Sequence, residues 1–525
     1  MTPYRIYWGE AHDNTFQFEA SPVSFADTVR RAASHLDFYA AAYYTACAEA
    51  FQPGGHLSET TTAVKLPLEA WKPQERLERE WAQINEVCRA ANAPGSFVTF
   101  PGYEWQGDGS SGDHNVFALD EGLPIFRVRT LAELYECLRP YQAIAIPHHT
   151  AYRPGRRGRD WSVFDADLSP FTEIFSVHGC SETDEEWVGM RHNSHMGPAM
   201  GAGTWQTALD LGLHVGAICS TDNWGDMPGH YGRGRMACLA SELTRASLWE
   251  AFMARRVYGV TGDRIELDFT VDGAPMGSIL TASGGRDIHV HVTGSDAIDR
   301  IEIVRNGRVI ATHCHQGTWD LPAAGRRSRF KMRVEAGWGP RPNEMPVRSR
   351  VWDGRLTVDD GCFTGLEKCW ISPGHQEPRL DGGQAYFHLL TSTQSVGGPC
   401  ENAHVFEFEA SADAPLTLEL NGMQERGTVA EFARGSRVMW FRDECVRMLA
   451  TEQGIQPFSP ERLDIYHHVA YKAKLHRPVP AAGYTAVLDL EDEEPLDAEA
   501  NYRVRVEQRN GQRAWSSPIW VRPAG

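Results

Sequence analysis

The sequence has no CxxC pair among its 11 cysteines, no GxxxxGK[ST] phosphate loop, no GxSxG nucleophile elbow and no apolar run long enough to cross a bilayer. The missing CxxC removes zinc ribbons and thioredoxin-like redox motifs, and an odd cysteine count cannot pair completely within one chain, so reduced thiols in a cytoplasm are expected. Without a phosphate loop the nucleotide folds lack support; the one GxGxxG match, Gly107 to Gly112, runs into DHNVFALD and opens no helix. Cys219-Ser220 sits at a strand end with no elbow around it and reads as a buried thiol. The start MTPYRIYWGE has no basic stretch followed by an apolar core, which points to a soluble, cytoplasmic protein. Basic residues are in deficit: 51 Lys and Arg against 69 Asp and Glu give a net charge of -18. That balance excludes a strong non-specific hold on nucleic acid or anionic membrane and leaves a small molecule as the expected partner.

The 525 residues exceed the usual size of one hydrophobic core. Through Arg264, strand-like runs alternate with helical patterns such as SFADTVRRAASHLD, PQERLEREWAQINEVCRAAN and TLAELYECLRP. About seven such units have the scale of one α/β barrel. After Arg264 the texture becomes period-two alternation with turn pairs at Asn306-Gly307 and Asn510-Gly511. The expected organisation is therefore an α/β barrel domain over residues 1–264 and a β-sandwich-like region over 265–525. A helical run over 431–454 is a candidate break between two subdomains of that region.

Metal-type side chains recur where the apolar runs of the first half stop. RIYWGEAH ends at His12, FVTFPGYE at Glu104, AIAIPHH at His148 and His149, TEIFSVH at His178, and AICSTD at Asp222. In a barrel, the C-terminal strand ends converge on one pocket. Position carries this reading and abundance does not, because the 21 histidines divide almost evenly between the two halves. Any single histidine is more often a hydrogen-bonded core residue.

The pieces WGEAHDNT, PGYEW, GDHNVF, IPHHT, EIFSVHGCSE and STDNW, with AWSSPIWV near the C-terminus, resemble in order and spacing the PHP (polymerase and histidinol phosphatase) metallohydrolases. The resemblance extends to a branch with a β-rich tail. It implies a seven-stranded, distorted TIM-like barrel holding two or three metal ions. Carried across, it implies ligands at His12, Glu104, His148, His178 and Asp222, with Asn14 auxiliary where the pattern has a second histidine. Tyr44 and Trp224 stand where the pattern has residues of a third metal site, so that site is read as dismantled and at most two ions are expected. One site would use Glu104, His148 and His178; the other would use His12, Asp222 and a bridging Glu104. Because neighbouring strand residues point to opposite faces, His148 and His149 are not expected to ligate together; the resemblance favours His148 as the ligand and leaves His149 as a residue that faces substrate or orients a neighbour.

Imidazole and carboxylate ligands hold Zn, Mn or Fe while leaving positions open for water, whose pKa the ion lowers toward neutrality. The loop TAYRPGRRGRDW supplies Arg153, Arg156, Arg157 and Arg159 for an anionic group, Arg153 and Arg156 being the leading candidates. A solvated arginine-rich loop is the plainer account. His114 is a candidate general acid, with loop-ordering hydrogen bonds as the alternative. Arg191 and Trp224 are candidate substrate contacts, Glu182 a partner to a ligand, and Trp105, Trp161 and Trp187 candidate cleft walls or core residues. The expected function is a metal-dependent hydrolase that cleaves a phosphoester or related polar ester with one or two divalent ions. Its rivals are a lyase acting on a carboxylate-bearing, carbohydrate-like substrate with Tyr43 or Tyr44 as base, and an inert carbohydrate-binding or scaffold protein.

Overall fold

Strand runs with apolar residues at every position, such as Phe38–Tyr44, can be stable only where both faces are covered. A computed structural model shows that arrangement. It describes residues 4–17, 23–47, 70–186, 188–190, 198–223, 228–315, 319–337, 350–369, 378–391, 401–454 and 471–524. The elements that build the first half are β1 (Arg5–Thr15), α1 (Phe25–Ala33), β2 (Phe38–Tyr44), α2 (Gln74–Ala91), β3 (Val98–Phe100), β4 (Gly102–Trp105), β5 (His114–Ala118), α3 (Leu131–Leu138), β6 (Ala143–Pro147), β7 (Phe171–Ser176), β8 (Gly179–Cys180), α4 (Trp205–Asp210), β9 (Gly216–Cys219), β10 (Arg235–Ala240), α5 (Arg245–Met253) and β11 (Val257–Val260). Tyr39, Ala41 and Tyr43 of β2 pack with Phe25, Val29, Leu77 and Ile84 of α1 and α2. Phe38 and Ala40 face the opposite core with Val98, Phe100, Leu248 and Phe252. The helices start where their caps are: Ser24 accepts from the Asp27 amide, and Thr130 and Glu133 form a capping box at α3.

The protein is mixed α/β and rich in strands, but the described strands do not close into a TIM-like barrel. β1, β2, β3 and β4 run parallel, as expected. β5 and β6 then follow β4 as antiparallel neighbours. On the other side β10 pairs antiparallel with β1, and β11 with β10. Antiparallel neighbours break the uniform strand-helix-strand winding that closes such a barrel. β7 and β9 form a separate three-stranded sheet with β8.

The chain forms two compact units. One comprises residues 1–293, 299–315 and 487–525; the other comprises 294–298 and 316–486. The division thus differs from the expected single break after Arg264. The cause is strand pairing: Arg513–Ser516 takes the free edge of β11, and Ala500–Gln508 pairs with Arg513–Ser516 and with Ile519–Pro523. In the second unit, a six-stranded and a five-stranded sheet contribute Phe330, Val334, Trp352, Leu356, Phe387, Phe406, Phe408 and Leu418 to one core. The expected helix over 431–454 is interrupted. Val429–Ala433 and Arg442–Gln453 are helical, and Arg437–Trp440 between them is a strand on the edge of the six-stranded sheet. Gly435 and Val438 weaken a helix there, and pairing with Lys472–Leu475 decides the outcome. No helix among the described residues is long and apolar enough to cross a membrane.

Candidate metal centre

The ends of β1, β4, β6, β7 and β9 bring five elements to one place. The link between the first and last is direct: the Asp222 amide donates to the His12 carbonyl (2.7 Å) and the Asn14 amide to the Asn223 carbonyl (2.6 Å). His12, Glu104, His148, His149 and Asp222 are all buried. Asp222 spans the site. Its Oδ1 lies 3.2 Å from His12 Nε2, and its Oδ2 lies 3.0 Å from His178 Nε2. Glu104 stands opposite, with Oε1 3.7 Å from His148 Nε2 and Oε2 3.9 Å from His12 Nε2.

Three trios of donor atoms result, each with its atoms within 4.8 Å of one another: His12, His148 and Asp222; His149, His178 and Asp222; Asp113, His148 and His149. His12 Nε2, Glu104 Oε2, Asp113 Oδ1, His148 Nδ1, His149 Nδ1 and Asp222 Oδ2 are buried and make no hydrogen bond. Buried polar atoms are ordinarily satisfied, so bare nitrogen and carboxylate atoms on residues that form such trios fit a divalent cation. The orientation of the rings fits it too. His12 Nδ1 is hydrogen-bonded to Glu173 Oε2 (2.8 Å), which leaves Nε2 facing Asp222. Tyr152 OH is hydrogen-bonded to His178 Nδ1 (2.8 Å), again leaving Nε2 toward Asp222.

The electrostatics are those of a crowded, dry cluster. Burial alone would lower the pKa of His12, but Asp222 and Glu173 hold it well above the usual imidazole value. Burial, with His12 and His149 adding repulsion, drives His148 well below that value, so this ring stays neutral and free to ligate. Burial pushes Glu173 up to about 7 against the opposing pull of His12.

His148 and His149 lie in the same cluster, with ring centroids 4.4 Å apart and planes at 89°. The expectation that strand alternation separates them does not apply, because β6 ends at Pro147 and His149 has a φ of 36°, which turns the chain. Asp222, with a φ of 49°, is turned in the same way. Asn14 uses its amide Nδ2 to donate to Asp222 Oδ1 (3.1 Å). Tyr44 OH accepts from Gln106 Nε2 (3.2 Å), and the same Nε2 donates to Glu104 Oε1 (2.7 Å). Burial, then the charge of Glu104, pushes the Tyr44 phenol up to about 12. Tyr43 points the other way and donates to Glu80 Oε2 (2.8 Å).

The arginine loop is rearranged relative to expectation. Arg153 and Arg156 are exposed, and Arg159 is buried against the Ser111 carbonyl and the Trp161 ring. Arg157 is the arginine of this loop that reaches the centre, bonding Asp113 through Nε (2.7 Å) and Nη2 and lying 4.0 Å from Glu104 Oε1. His114 is buried with Nδ1 on the Gly112 carbonyl (3.1 Å). Burial and Arg159 lower its pKa well below normal, so it has no proton to donate as an imidazolium at neutral pH. Glu182 is not a partner to a ligand: it binds Arg503 (2.9 Å), Arg505 (2.7 Å) and Trp515 Nε1 (2.7 Å) on the C-terminal strands. Trp105 and Trp161 are core residues whose indole nitrogens donate to backbone carbonyls. Trp187, Arg191 and Trp224 lie outside the described residues. Sequence reading did not assign Asp113, Glu173 or Tyr152. Glu173 had a signal, being a lone carboxylate inside the apolar run FTEIFS; Asp113 and Tyr152 had none beyond their neighbours.

No protein-family model matches the chain. An uncharacterised protein of Chlamydia pneumoniae is 29% identical over 264 residues, covering 46% of this chain and 42% of the relative. A second, from Chlamydia muridarum, is 31% identical over 202 residues, covering 36% and 32%. The matched stretch thus spans less than half the length of these curated relatives. Among solved structures, a two-domain protein of Bacteroides vulgatus described as containing a predicted PHP-like metal-dependent phosphoesterase covers 57% of this chain and 80% of its own. Its TM-score is 0.30 and its identity 12%.

Proposed function

We propose that the chain is a metal-dependent hydrolase, with one or two divalent ions of the Zn, Mn or Fe kind held by His12, His148, His149, His178 and Asp222, and Glu104 at their edge. The observation that carries this reading is the convergence of His and Asp donors into trios within 4.8 Å, on residues several of whose buried polar atoms make no hydrogen bond. When bound, such ions supply a water of lowered pKa and polarise the oxygen of an ester or phosphoester. The chain's own part is arrangement. Glu173 and Tyr152 fix the two imidazoles on either side of Asp222. Gln106 holds Glu104 and offers the Tyr44 hydroxyl a partner. Arg157 adds a positive charge beside Glu104, which suits an anionic substrate such as a phosphoester. The Tyr44 hydroxyl accepts from Gln106 and its phenol, pushed up to about 12, is a poor base at neutral pH, which counts against the lyase.

The test is elemental analysis of protein purified without chelator, followed by a phosphoester and ester screen with Zn, Mn or Fe restored to stripped protein. Bound metal with metal-dependent hydrolysis is the expected result. Absence of metal after purification and after reloading would refute the reading.

A further inference from the structure

Of the three donor trios, the one formed by Asp113, His148 and His149 already has a cation on its carboxylate. Arg157 donates through Nε to Asp113 Oδ2 at 2.7 Å and makes a second contact to the same oxygen through Nη2. Nη2 also lies 4.0 Å from Glu104 Oε1, so one guanidinium serves two carboxylates of the centre. His149 Nε2 is 3.3 Å from the same Asp113 oxygen. The backbone that delivers Arg157 is closely held. Its amide donates to the Gly109 carbonyl (2.8 Å), the Gly155 amide to the Ser110 carbonyl (3.2 Å), and the Arg159 amide to the Thr150 carbonyl (2.9 Å). Arg157 adopts a φ of 68°, a region that side-chain-bearing residues seldom occupy unless their surroundings impose it. At Gly158 an added Cβ would meet the Tyr152 carbonyl oxygen at 1.8 Å, so the chain packs too closely there for any larger residue. The other two trios are joined through Asp222, whose two oxygens face His12 and His178.

We propose that the Arg157 guanidinium is the built-in cation of the third trio: it holds Asp113 out of metal coordination, so that the centre takes its two divalent ions through Asp222. The proposal rests on the reading of the centre as a metal site. A guanidinium in contact with Asp113 repels a divalent ion from the same donors, since like charges at such separations in a water-poor site interact strongly. Asp113 Oδ1, which makes no hydrogen bond, is the atom through which an ion would enter if the guanidinium were removed.

The experiment counts ions. Metal-stripped wild type, Arg157→Gln and Arg157→Lys are saturated with Co(II), freed of excess, and measured by elemental analysis and by the visible Co(II) spectrum, with circular dichroism to check folding. Two ions are expected in all three proteins, with the wild-type spectrum in the lysine variant and a shifted Co(II) absorption band in the glutamine variant, where the freed Asp113 becomes a ligand. A wild-type spectrum in a folded, cobalt-loaded glutamine variant, or three ions in the wild type, would overturn the proposal and leave the hydrolase reading standing. No cobalt in the wild type would overturn both. Asp113→Asn decides the matter should the glutamine variant fail to fold: it keeps two ions if the guanidinium serves this trio, and loses one if Asp113 is itself a ligand.

Discussion

At the scale of single residues, Asp222 and His149 separate the structure from what strand patterns alone imply. Asp222 faces both His12 and His178, so it is the shared carboxylate, whereas Glu104 keeps its oxygens 3.7 and 3.9 Å from the nearest ring nitrogens. Asp222→Asn is therefore expected to abolish binding of both ions, and Glu104→Gln to reduce occupancy less; elemental analysis of the two variants in parallel checks the order. Sequence pattern alone would let His149→Ala keep its metal. With His149 in one trio with His178 and Asp222, that variant is instead expected to lose one ion while retaining the other. Full occupancy in His149→Ala would return His149 to a substrate-facing role. His12, Glu104, His148, His178 and Asp222 were legible because each ends an apolar run. Asp113 was not, because nothing in GDHN says which of its polar residues turns inward.

At the scale of elements, the decisive contact is Glu182 with the strand Ala500–Gln508. Arg503 is fully buried and its charge is paired with Glu182; Arg505 shares the same oxygen. Removing one partner of a buried pair costs roughly 3–5 kcal/mol, because the other charge is left uncompensated. Glu182→Gln should thus lower the unfolding free energy by about that amount in a denaturant titration while leaving bound metal unchanged at low denaturant. A change below about 1 kcal/mol, the range of an exposed pair, would show that water reaches the arginine. The helices that carried caps and a 3.6-residue pattern were readable in sequence. The segment at 437–440 was not, because its strand exists only through pairing with a strand more than thirty residues later.

At the scale of the whole molecule, the unit that holds the centre is completed by the last part of the chain. Trp515 stacks on Phe175 at 6.0 Å, and Trp515 and Trp520 share a core with Ile174, Trp205 and Cys219. A chain ending at residue 486, or a fragment of residues 1–264, leaves the β11 edge bare and this core open. Neither is expected to retain metal, and the 1–264 fragment, which carries none of the second unit, is not expected to give a cooperative thermal transition. A sharp melt of the 1–264 fragment, followed by circular dichroism, would show that the first unit folds without its C-terminal strands.

The sequence by itself determined the local terms: which runs are strands with two covered faces, where helices are capped, and which histidines and carboxylates stand at strand ends. These depend on residues close together in the chain. Only the tertiary structure decided that the strands stay open instead of forming a barrel, that the C-terminal strands join the first unit, that Asp222 faces two histidines, and that Arg157 is the arginine of its loop to reach the centre. Each of those depends on pairing between distant segments or on a left-handed residue such as His149, Arg157 or Asp222, and such a turn is imposed by the surroundings of the residue and leaves no periodic trace in the chain.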